Sequence, residues 1–453
     1  SLYVEISGAV FFIASLFFVK KIAERVTPEN FVVPLMAVFM TAFYYPLVQW
    51  SLIGTEVSVL LLICTAAVWL AFRSMDEGKV NPWLYVLMGV GTLVRMDMAV
   101  LFLTVWGFLF LVESKNRWQH LAWGAGTFVA FIGGQTLFRW LYYGELLPAT
   151  YYLKMGGVSL QTRVATGWEA FKAFAKSLKK ELLPIPFLLF LFKRDKKVFL
   201  LALATGAWMV YSIYVGGDAW EHRGGSNRFI SLGMPFFMVL FSAATWQLIN
   251  LGKRLIDWVF KRKMMVITVL ANLGLVLFCC MAMLFANRLK NDGYFMDNLR
   301  NLHKGPLRYA FLYERSIFVP GSLRYANDGL LIREFTTPEA RIGVVAAGNV
   351  AYFADRYAID IFGKSDYYIA KSPVHTFDEK GPIPWRPGHT KWDYAYSLGK
   401  LQPDVVSDLI LNTRLDAEQY LQNYEKLKIN GHNMYFKKDS PYILWDKVYQ
   451  AAQ

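Results

Sequence analysis

The feature that most constrains this chain is a series of long apolar runs that stops near Asn287. Hydrophobic residues make up 55% of the 453 residues, whereas charged residues make up 18%, below the roughly 25% of soluble domains. Runs of this kind predict membrane-spanning helices, since a helix needs about 20 apolar residues to cross the hydrocarbon layer. The composition therefore disfavours a soluble enzyme, a disordered protein and a disulfide scaffold.

We predict a transmembrane bundle over residues 1–287 and a soluble α/β domain over residues 288–453. Three of the predicted spans are short, and we expect them to be tilted, broken or partly inserted, as is tolerated beside a polar cavity. The ten predicted spans have the approximate bounds 3–19, 31–49, 52–72, 82–94, 97–113, 119–140, 183–193, 198–215, 228–250 and 265–287.

The net charge of +14 fits this topology. By the positive-inside rule, the basic loops of the bundle are cytoplasmic. The 141–182 loop, the 216–228 loop and the C-terminal domain are then extracytoplasmic, and nucleic-acid binding is not indicated. The cations of the basic loops are Lys20, Lys21, Arg25, Arg73, Lys79, Lys115, Arg117, Lys193, Arg194, Lys196, Lys197, Lys253, Arg254, Lys261, Arg262 and Lys263.

The same topology places residue 1 outside, directly at the start of a span, without an initiator methionine or signal peptide. We therefore expect that at least one N-terminal span and the external loop after it are absent from this chain. A processed or tagged chain with a native outside start is the alternative.

Ionisable residues near the predicted span ends gather mostly on the outer side. Such groups are expensive in a membrane and mark function by default. The candidate site residues in the bundle and its outer loops are Glu56, Arg95, Asp97, Tyr142, Tyr143, Glu145, Lys154, Asp218, His222, Arg223 and Arg228.

These residue types suit an anionic headgroup at the membrane surface. Arginine offers a planar fork for phosphate and lysine a point charge, while tyrosine offers a flat face for a sugar ring or a lipid. Carboxylates can bind sugar hydroxyls, act as a base or hold a divalent metal. No ligand cluster in the sequence demands a metal, so metal dependence stays open.

Each candidate also has a structural interpretation. Arg95 and Asp97 can form an ion pair at a span boundary, and Glu56 can hydrogen-bond within the bundle. His222 can be a solvated loop residue, and the aromatic residues at 142–152 can form an interfacial belt. These interpretations explain poorly why so many such groups converge on one side of the membrane.

The C-terminal residues show a compact α/β pattern. Residues 341–347 read as a buried strand, 348–354 as a turn and short helix, and 357–360 as a second strand. Neither a Gly-rich dinucleotide motif nor a phosphate-binding loop is present. His389 and Lys391 lie in a turn-rich polar segment, 384–391, which can also be an ordinary surface loop.

In order and spacing, these pieces resemble the polytopic glycosyltransferases of the GT-C fold, which use polyprenyl-phosphate sugars. The closest likeness is to the family of the mycobacterial terminal β-(1→2) arabinofuranosyltransferase. The segments that carry the resemblance are 50–56, 93–97, 142–154, 216–218 with Arg228, 341–363 and 388–391.

The resemblance implies a polyprenyl-phosphate arabinofuranose donor and an acceptor such as a polysaccharide, lipopolysaccharide or pilin. It places the protein in the bacterial plasma membrane, with its active site on the extracytoplasmic side. The base of such enzymes usually lies in the first external loop, which we expect to be absent. The lysine content and the Gly-Gly-Asp loop depart from the mycobacterial pattern and leave the acceptor open.

We assign roles to the candidates on this basis. Asp218, Asp97 and Glu56 are the catalytic candidates within this chain. The donor-phosphate candidates are Arg95, Lys154, Arg223 and Arg228, and the substrate-binding candidates are Tyr142, Tyr143, Glu145, His222, His389 and Lys391.

The alternative hypothesis is a transporter or flippase of lipid-linked sugars. Such a protein is expected to carry ionisable groups near the bilayer midplane and to contain inverted repeats. The sequence shows neither feature, so a glycosyltransferase is the favoured prediction.

Overall fold

The structure is a computed structural model, which describes residues 2–28, 30–178, 180–219, 226–260, 269–270, 273–274, 276–277, 319–429 and 431–452. The chain divides into two compact units. The first unit combines Ser1–Gly144 with Gly167–Glu314, and the second combines Glu145–Thr166 with Arg315–Gln453. The predicted boundary at 287/288 lies outside the described residues and stays a prediction.

The described residues between 2 and 260 are helical wherever they form regular structure. The short 3₁₀ and π segments are Met96–Met98, Ser114–Asn116 and Val129–Gly133. The α-helices are α1 (Leu2–Val26), α2 (Val32–Ala42), α3 (Tyr45–Leu52), α4 (Val57–Glu77), α5 (Pro82–Val94), α6 (Ala99–Val112), α7 (Arg117–Phe128), α8 (Gly134–Tyr143), α9 (Ala149–Met155), α10 (Leu160–Ser177), α11 (Ile185–Phe192), α12 (Lys196–Val215) and α13 (Arg228–Phe260).

Several of these helices are long and apolar enough to cross a membrane. In the described part of the chain there are five, or six if the bent pair α2 and α3 forms one span. The five are Leu2–Val26, Val57–Glu77, Ser114–Tyr143, Lys196–Val215 and Arg228–Leu255. Two shorter apolar helices, Pro82–Val94 and Met96–Val112, coincide with predicted short spans. The segment predicted at 265–287 lies almost wholly outside the described residues.

The predicted span 31–49 is broken in the structure. Helices α2 and α3 meet at an angle of 56°. Tyr44 is extended at the break, with φ −74° and ψ 99°, and Pro46 lies in the first turn of α3. Proline disfavours the helical conformation in the residue before it and lacks an N–H, so it begins a new helix readily but does not continue an old one.

Burial separates the inner helices of the first unit from the outer ones. The apolar window of Arg228–Leu255 is 94% buried, and that of Val57–Glu77 is 72% buried. Only 6% of the corresponding window of Ser114–Tyr143 is buried, which suits a helix that faces lipid. The inner pair therefore forms the core that positions the breaks described below.

The second unit contains a five-stranded mixed sheet of order β2-β1-β5-β7-β6. Strand β1 is parallel to β2 and β5, whereas β7 is antiparallel to β5 and β6. The strands are β1 (Arg341–Val344), β2 (Tyr357–Asp360), β5 (Val405–Val406), β6 (Tyr424–Ile429) and β7 (His432–Lys437), and β3 (Phe377–Asp378) pairs with β4 (Gly381–Pro382) in a separate hairpin. The remaining elements are α14 (Val319–Phe335), α15 (Asn349–Ala354), α16 (Tyr367–Lys371), α17 (Arg414–Glu418), α18 (Trp445–Ala452) and a π segment (Ala395–Lys400).

Both faces of this sheet are covered. Alternate strand residues enter two different apolar clusters: Val405 and Phe436 belong to one, and Val406 and Tyr435 to the other. The strand, short helix and second strand predicted over residues 341–360 are present, and the two strands pair in parallel, which confirms the α/β prediction.

Candidate functional site

The first unit brings five of the predicted site residues together at breaks between its helices. Glu56 precedes α4, and Arg95 and Asp97 lie between α5 and α6. Asp218 follows α12, and Arg228 is the first residue of α13. Breaks of this kind bring charged side chains into a helical bundle without placing them in the middle of an apolar helix. We call these five residues the charged cluster.

Two arginines and three carboxylates are interlocked in the charged cluster. Arg228 binds Asp218 through two hydrogen bonds, from Nε to Oδ2 at 2.7 Å and from Nη2 to Oδ1 at 2.9 Å. Arg95 donates to Glu56 through Nη1 and to Asp97 through Nη2. Glu56 bridges the two arginines, because its Oε1 also lies 3.4 Å from Nη1 of Arg228. A pairing through two hydrogen bonds, such as that of Arg228 with Asp218, fixes the orientation of the guanidinium and also balances its charge.

Aromatic side chains flank both guanidinium groups. The Arg95 guanidinium lies 4.9 Å from the ring centre of Phe229, and that of Arg228 lies 6.0 Å from Trp50. The indole of Trp50 donates to the Ser226 carbonyl at 3.0 Å and so links α3 to the residues before α13. These contacts hold the charged groups against flat apolar surfaces.

The ends of α12 and α13 orient Asp218 and Arg228. After α12, Gly216 and Gly217 have φ values of +87° and +79°, a conformation that a side chain would strain. Asn227 caps α13, since its Oδ1 accepts hydrogen bonds from the amides of Phe229 at 3.1 Å and Ile230 at 3.0 Å.

The members of the charged cluster differ in exposure. The side chain of Asp218 is 1% exposed, whereas those of Arg95 and Arg228 are 18% and 17% exposed and that of Glu56 is 26% exposed. Glu56 is therefore the carboxylate that solvent or substrate reaches most readily. With all five groups ionised the cluster carries a net charge of −1, because three carboxylates face two arginines.

The second unit contains other residues that the sequence analysis predicted to belong to the functional site, among them Glu145. Lys371 donates to Glu145 and lies 4.8 Å from the ring centre of Tyr152. This hydrogen bond holds the pKa of Glu145 below its ordinary value. The contact joins the segment 145–166 to helix α16, which also packs on it through Ala149, Leu153 and Ala370.

Lys391 is a buried lysine of the second unit, with 1% exposure. Its Nζ donates to the carbonyl of Ala370 at 2.7 Å and to that of Tyr152 at 3.0 Å. Burial lowers the pKa of this amine. In this position Lys391 ties segment 145–166 to α16, and its predicted role in substrate binding stays a prediction.

His389 and Lys154 lie beside the same turn. Gly388 has a φ of +73°, and a Cβ there would lie 3.5 Å from Cγ of Lys154. The His389 ring packs against Phe362 at 5.4 Å, and burial lowers its pKa to about 4. The neighbouring charges of Arg386, Lys364 and Lys154 lower this pKa further. The turn is thus a positively charged part of the second unit.

Tyr142 and Tyr143 are exposed at the end of α8. They form an aromatic group with Phe138, whose ring stacks on Tyr142 at 5.6 Å. This geometry fits both a substrate surface and an interfacial belt, so both interpretations stay open. The predicted residues His222 and Arg223 lie outside the described residues.

In the part of the chain that the structure describes, no group of three or more His, Cys, Asp or Glu side chains could hold a metal ion. The sequence analysis assigned no individual role to Trp50, Asn227, Phe229, Gln135 or Arg139. Of these, Arg139 carried a usable signal, because it is a cation within a predicted apolar span.

Two family models match parts of the chain. Residues 3–134 match the model described as Dolichyl-phosphate-mannose-protein mannosyltransferase. Residues 321–445 match a Domain of unknown function (DUF8728). No curated protein and no solved structure gives a significant match to the chain.

The fold and the first of these matches define a class. The chain is a helical membrane protein of the GT-C type with a C-terminal α/β region, as the sequence predicted. It is a glycosyltransferase of the class that takes its sugar from a lipid phosphate. The first match covers less than a third of the chain and includes three members of the charged cluster, Glu56, Arg95 and Asp97.

Proposed function

We propose that the protein transfers arabinofuranose from a polyprenyl-phosphate donor to an acceptor glycan or glycoprotein at the outer face of the bacterial plasma membrane. The observation that carries this proposal is the charged cluster, in which three breaks between helices bring two arginines and three carboxylates together. The choice of arabinofuranose rests on the sequence resemblance alone.

The transfer is a substitution at the anomeric carbon of the donor sugar. An acceptor hydroxyl forms the new C–O bond while the bond between that carbon and the phosphate oxygen breaks. The electron pair leaves with the lipid phosphate, and the hydroxyl proton passes to a base. Since negative charge grows on the phosphate, donors of hydrogen bonds placed around it lower the barrier.

The charged cluster suits the donor headgroup. A guanidinium has five N–H groups, and Arg95 and Arg228 use only some of them on carboxylates, so each can still donate to a phosphate oxygen. Glu56, the most exposed carboxylate, is the proposed acceptor of hydrogen bonds from sugar hydroxyls. Asp218 instead holds Arg228, and Asp97 holds Arg95.

Residues outside the cluster complete the proposal. In the second unit His389 lies on the positively charged turn and Lys154 lies beside it, and both are proposed contacts for an anionic substrate. Tyr142, Tyr143 and Glu145 are proposed contacts for the sugar or the first lipid units. His222 and Arg223 keep their predicted roles, although they lie outside the described residues.

A transfer assay tests the activity. Full-length protein is mixed with radiolabelled polyprenylphosphoryl arabinofuranose, or with the mannose donor in parallel, and with polysaccharide, lipopolysaccharide or pilin acceptors. We expect transfer, or slow donor hydrolysis, with the arabinose donor. Activity with mannose alone would overturn the choice of sugar. Transport of intact donor across vesicles without cleavage would support the flippase alternative.

The role of Arg95 is tested separately. Arg95→Ala should weaken donor binding, because it removes the N–H groups proposed to donate to the phosphate as well as the pairs with Glu56 and Asp97. Arg73→Ala is the matched control, since Arg73 pairs with Glu77 at the exposed far end of α4. Unchanged donor binding by a folded Arg95→Ala protein would remove Arg95 from the site.

A further inference from the structure

Arg139 is a cation within the long apolar helix Ser114–Tyr143. Its side chain donates from Nη2 to Oε1 of Gln135 at 2.9 Å. Its Nη1 is buried and has no hydrogen-bond partner among the described residues. An arginine in a span is costly, and one that pairs with no carboxylate in the described part of the chain needs another anion to balance it.

The packing of this helix against α5 sets the height of Arg139 along the bundle. Gly89 of α5 lies against the Phe131 ring, because a Cβ on Gly89 would come within 2.4 Å of Phe131 Cδ2. One turn further, Nε2 of Gln135 donates to the Thr92 carbonyl at 3.1 Å. From the first contact to the second, the residue number rises on both helices, from 89 to 92 and from 131 to 135. The two helices therefore run parallel to each other. The next turn therefore brings residue 139 level with the break that holds Arg95.

The local backbone supports this arrangement. A π-helical segment, Val129–Gly133, directly precedes α8, and such segments occur often at functional sites. Gln135 binds a carbonyl in the last turn of α5, where helix ends leave acceptors without intrahelical partners. Arg139 is thus linked to the end of α5 by two successive hydrogen bonds, from Arg139 to Gln135 and from Gln135 to the Thr92 carbonyl.

Charge balance distinguishes Arg139 from the arginines of the cluster. Arg95 and Arg228 face three carboxylates, so the cluster has no net positive charge to offer a phosphate. A lipid-linked sugar phosphate carries one negative charge, and the lipid phosphate released after transfer carries up to two. A further cation at the same level adds the positive charge that the hydrogen bonds from Arg95 and Arg228 do not bring in excess.

We infer that Arg139 binds the phosphate of the lipid-linked donor and compensates the charge that grows on it during transfer. This inference rests on the proposed function. The guanidinium supplies the two-pronged contact that suits phosphate oxygens, with Gln135 holding one side of the fork. The exposed aromatic group of Phe138, Tyr142 and Tyr143 continues along the same helix toward its outer end.

The test is direct binding of a labelled polyprenyl phosphate, without sugar, to the full chain in phosphatidylcholine nanodiscs. Arg139→Gln should weaken this binding at least tenfold, and Arg139→Lys should weaken it less, because lysine keeps the charge without the fork. Arg117→Gln is the matched control at the other end of the same helix and should bind as the parent protein does. The thermal midpoint of each variant shows whether it is folded.

Three comparisons decide the result. Binding of the uncharged polyprenol should be the same in the parent protein and in Arg139→Gln. Gln135→Ala should weaken phosphate binding less than Arg139→Gln does, because it leaves the cation in place. A greater loss in Gln135→Ala would show that Gln135 binds the phosphate and that the inference is wrong. If phosphatidylglycerol displaces the probe as well as unlabelled polyprenyl phosphate does, the site takes any anionic lipid and its assignment to the donor is wrong.

The outcome also separates this inference from the proposed function. A parent protein that binds no polyprenyl phosphate would overturn both. A parent protein that binds it, together with an Arg139→Gln variant that binds it equally, would overturn the role of Arg139 alone.

Discussion

Asp218 is the most buried carboxylate of the charged cluster, and both of its oxygens accept hydrogen bonds from Arg228. The sequence placed the two residues in one outer loop, and their charges made a pair plausible. It did not reveal that Glu56, far away in the chain, bridges this pair to Arg95. Such a bridge depends on how three helices pack, which local sequence does not encode.

Asp218→Asn should destabilise the first unit. The change removes the charge that balances Arg228 while the guanidinium stays largely buried, and breaking such a pair costs about 3–5 kcal/mol. The remaining contact between Arg228 and Glu56 should keep the loss near the lower end. The unfolding midpoint in detergent measures the effect. Glu169→Gln, which breaks an exposed pair with Lys172, should change the free energy of unfolding by no more than about 1 kcal/mol.

His389 should make the second unit sensitive to acid. Burial lowers its pKa to about 4, whereas an unfolded histidine titrates near 6.5, so between these values the unfolded chain binds a proton that the folded chain does not. The free energy of unfolding should therefore fall as the pH is lowered from about 6.5 to about 4, by roughly 2–3 kcal/mol in total.

Hydrogen exchange of the segment around residues 384–391, corrected for intrinsic rates, reports this opening in the full chain. In His389→Gln the same segment should lose most of its pH dependence over this window. An equally steep dependence in the variant would show that another group is responsible.

At the scale of elements, apolar runs predicted where helices lie better than where they end. The span predicted at 52–72 starts at Val57 in the structure, because Gly54 adopts a φ of +83° and Glu56 precedes the first turn. The span predicted at 31–49 is bent at Tyr44 and Pro46. The start of α4 and the bend between α2 and α3 are set by local backbone conformations, which average hydropathy does not show.

The close approach of α1 and α3 depends on Gly8. A Cβ at this position would come within 2.2 Å of the backbone oxygen of Ser51, so one helix must move. Gly8→Ala should lower the free energy of unfolding by about 1–3 kcal/mol, the usual cost of overpacking. It should also lower transfer activity, since α3 carries Trp50 beside Arg228.

Gly107→Ala is the control for this change. Nothing lies within 4 Å of a Cβ at Gly107, which is in the middle of α6, so alanine should be neutral or stabilising by up to about 1 kcal/mol. Equal midpoints for the two variants, measured by thermal unfolding in detergent, would show that α1 and α3 have room to separate without cost.

At the scale of the whole molecule, the chain combines a helical bundle with an α/β region, and their sequence patterns differ. The apolar runs predicted a helical bundle, and the β-rich pattern after residue 340 predicted an α/β region. The sequence did not show that residues 145–166 belong to the second unit. That association uses contacts such as Lys391 with the Tyr152 carbonyl, between segments more than 200 residues apart in sequence.

The orientation of the molecule in the membrane is a prediction from the basic loops, and cysteine labelling tests it. Cys64, Cys279 and Cys280 are first replaced by alanine. Gln161→Cys and Lys115→Cys then place exposed thiols in the predicted outer segment and in a predicted cytoplasmic loop. A membrane-impermeant maleimide should label residue 161 in intact cells and residue 115 only after the membrane is opened. The reverse pattern would place the charged cluster on the cytoplasmic side, where a donor at the outer face could not reach it.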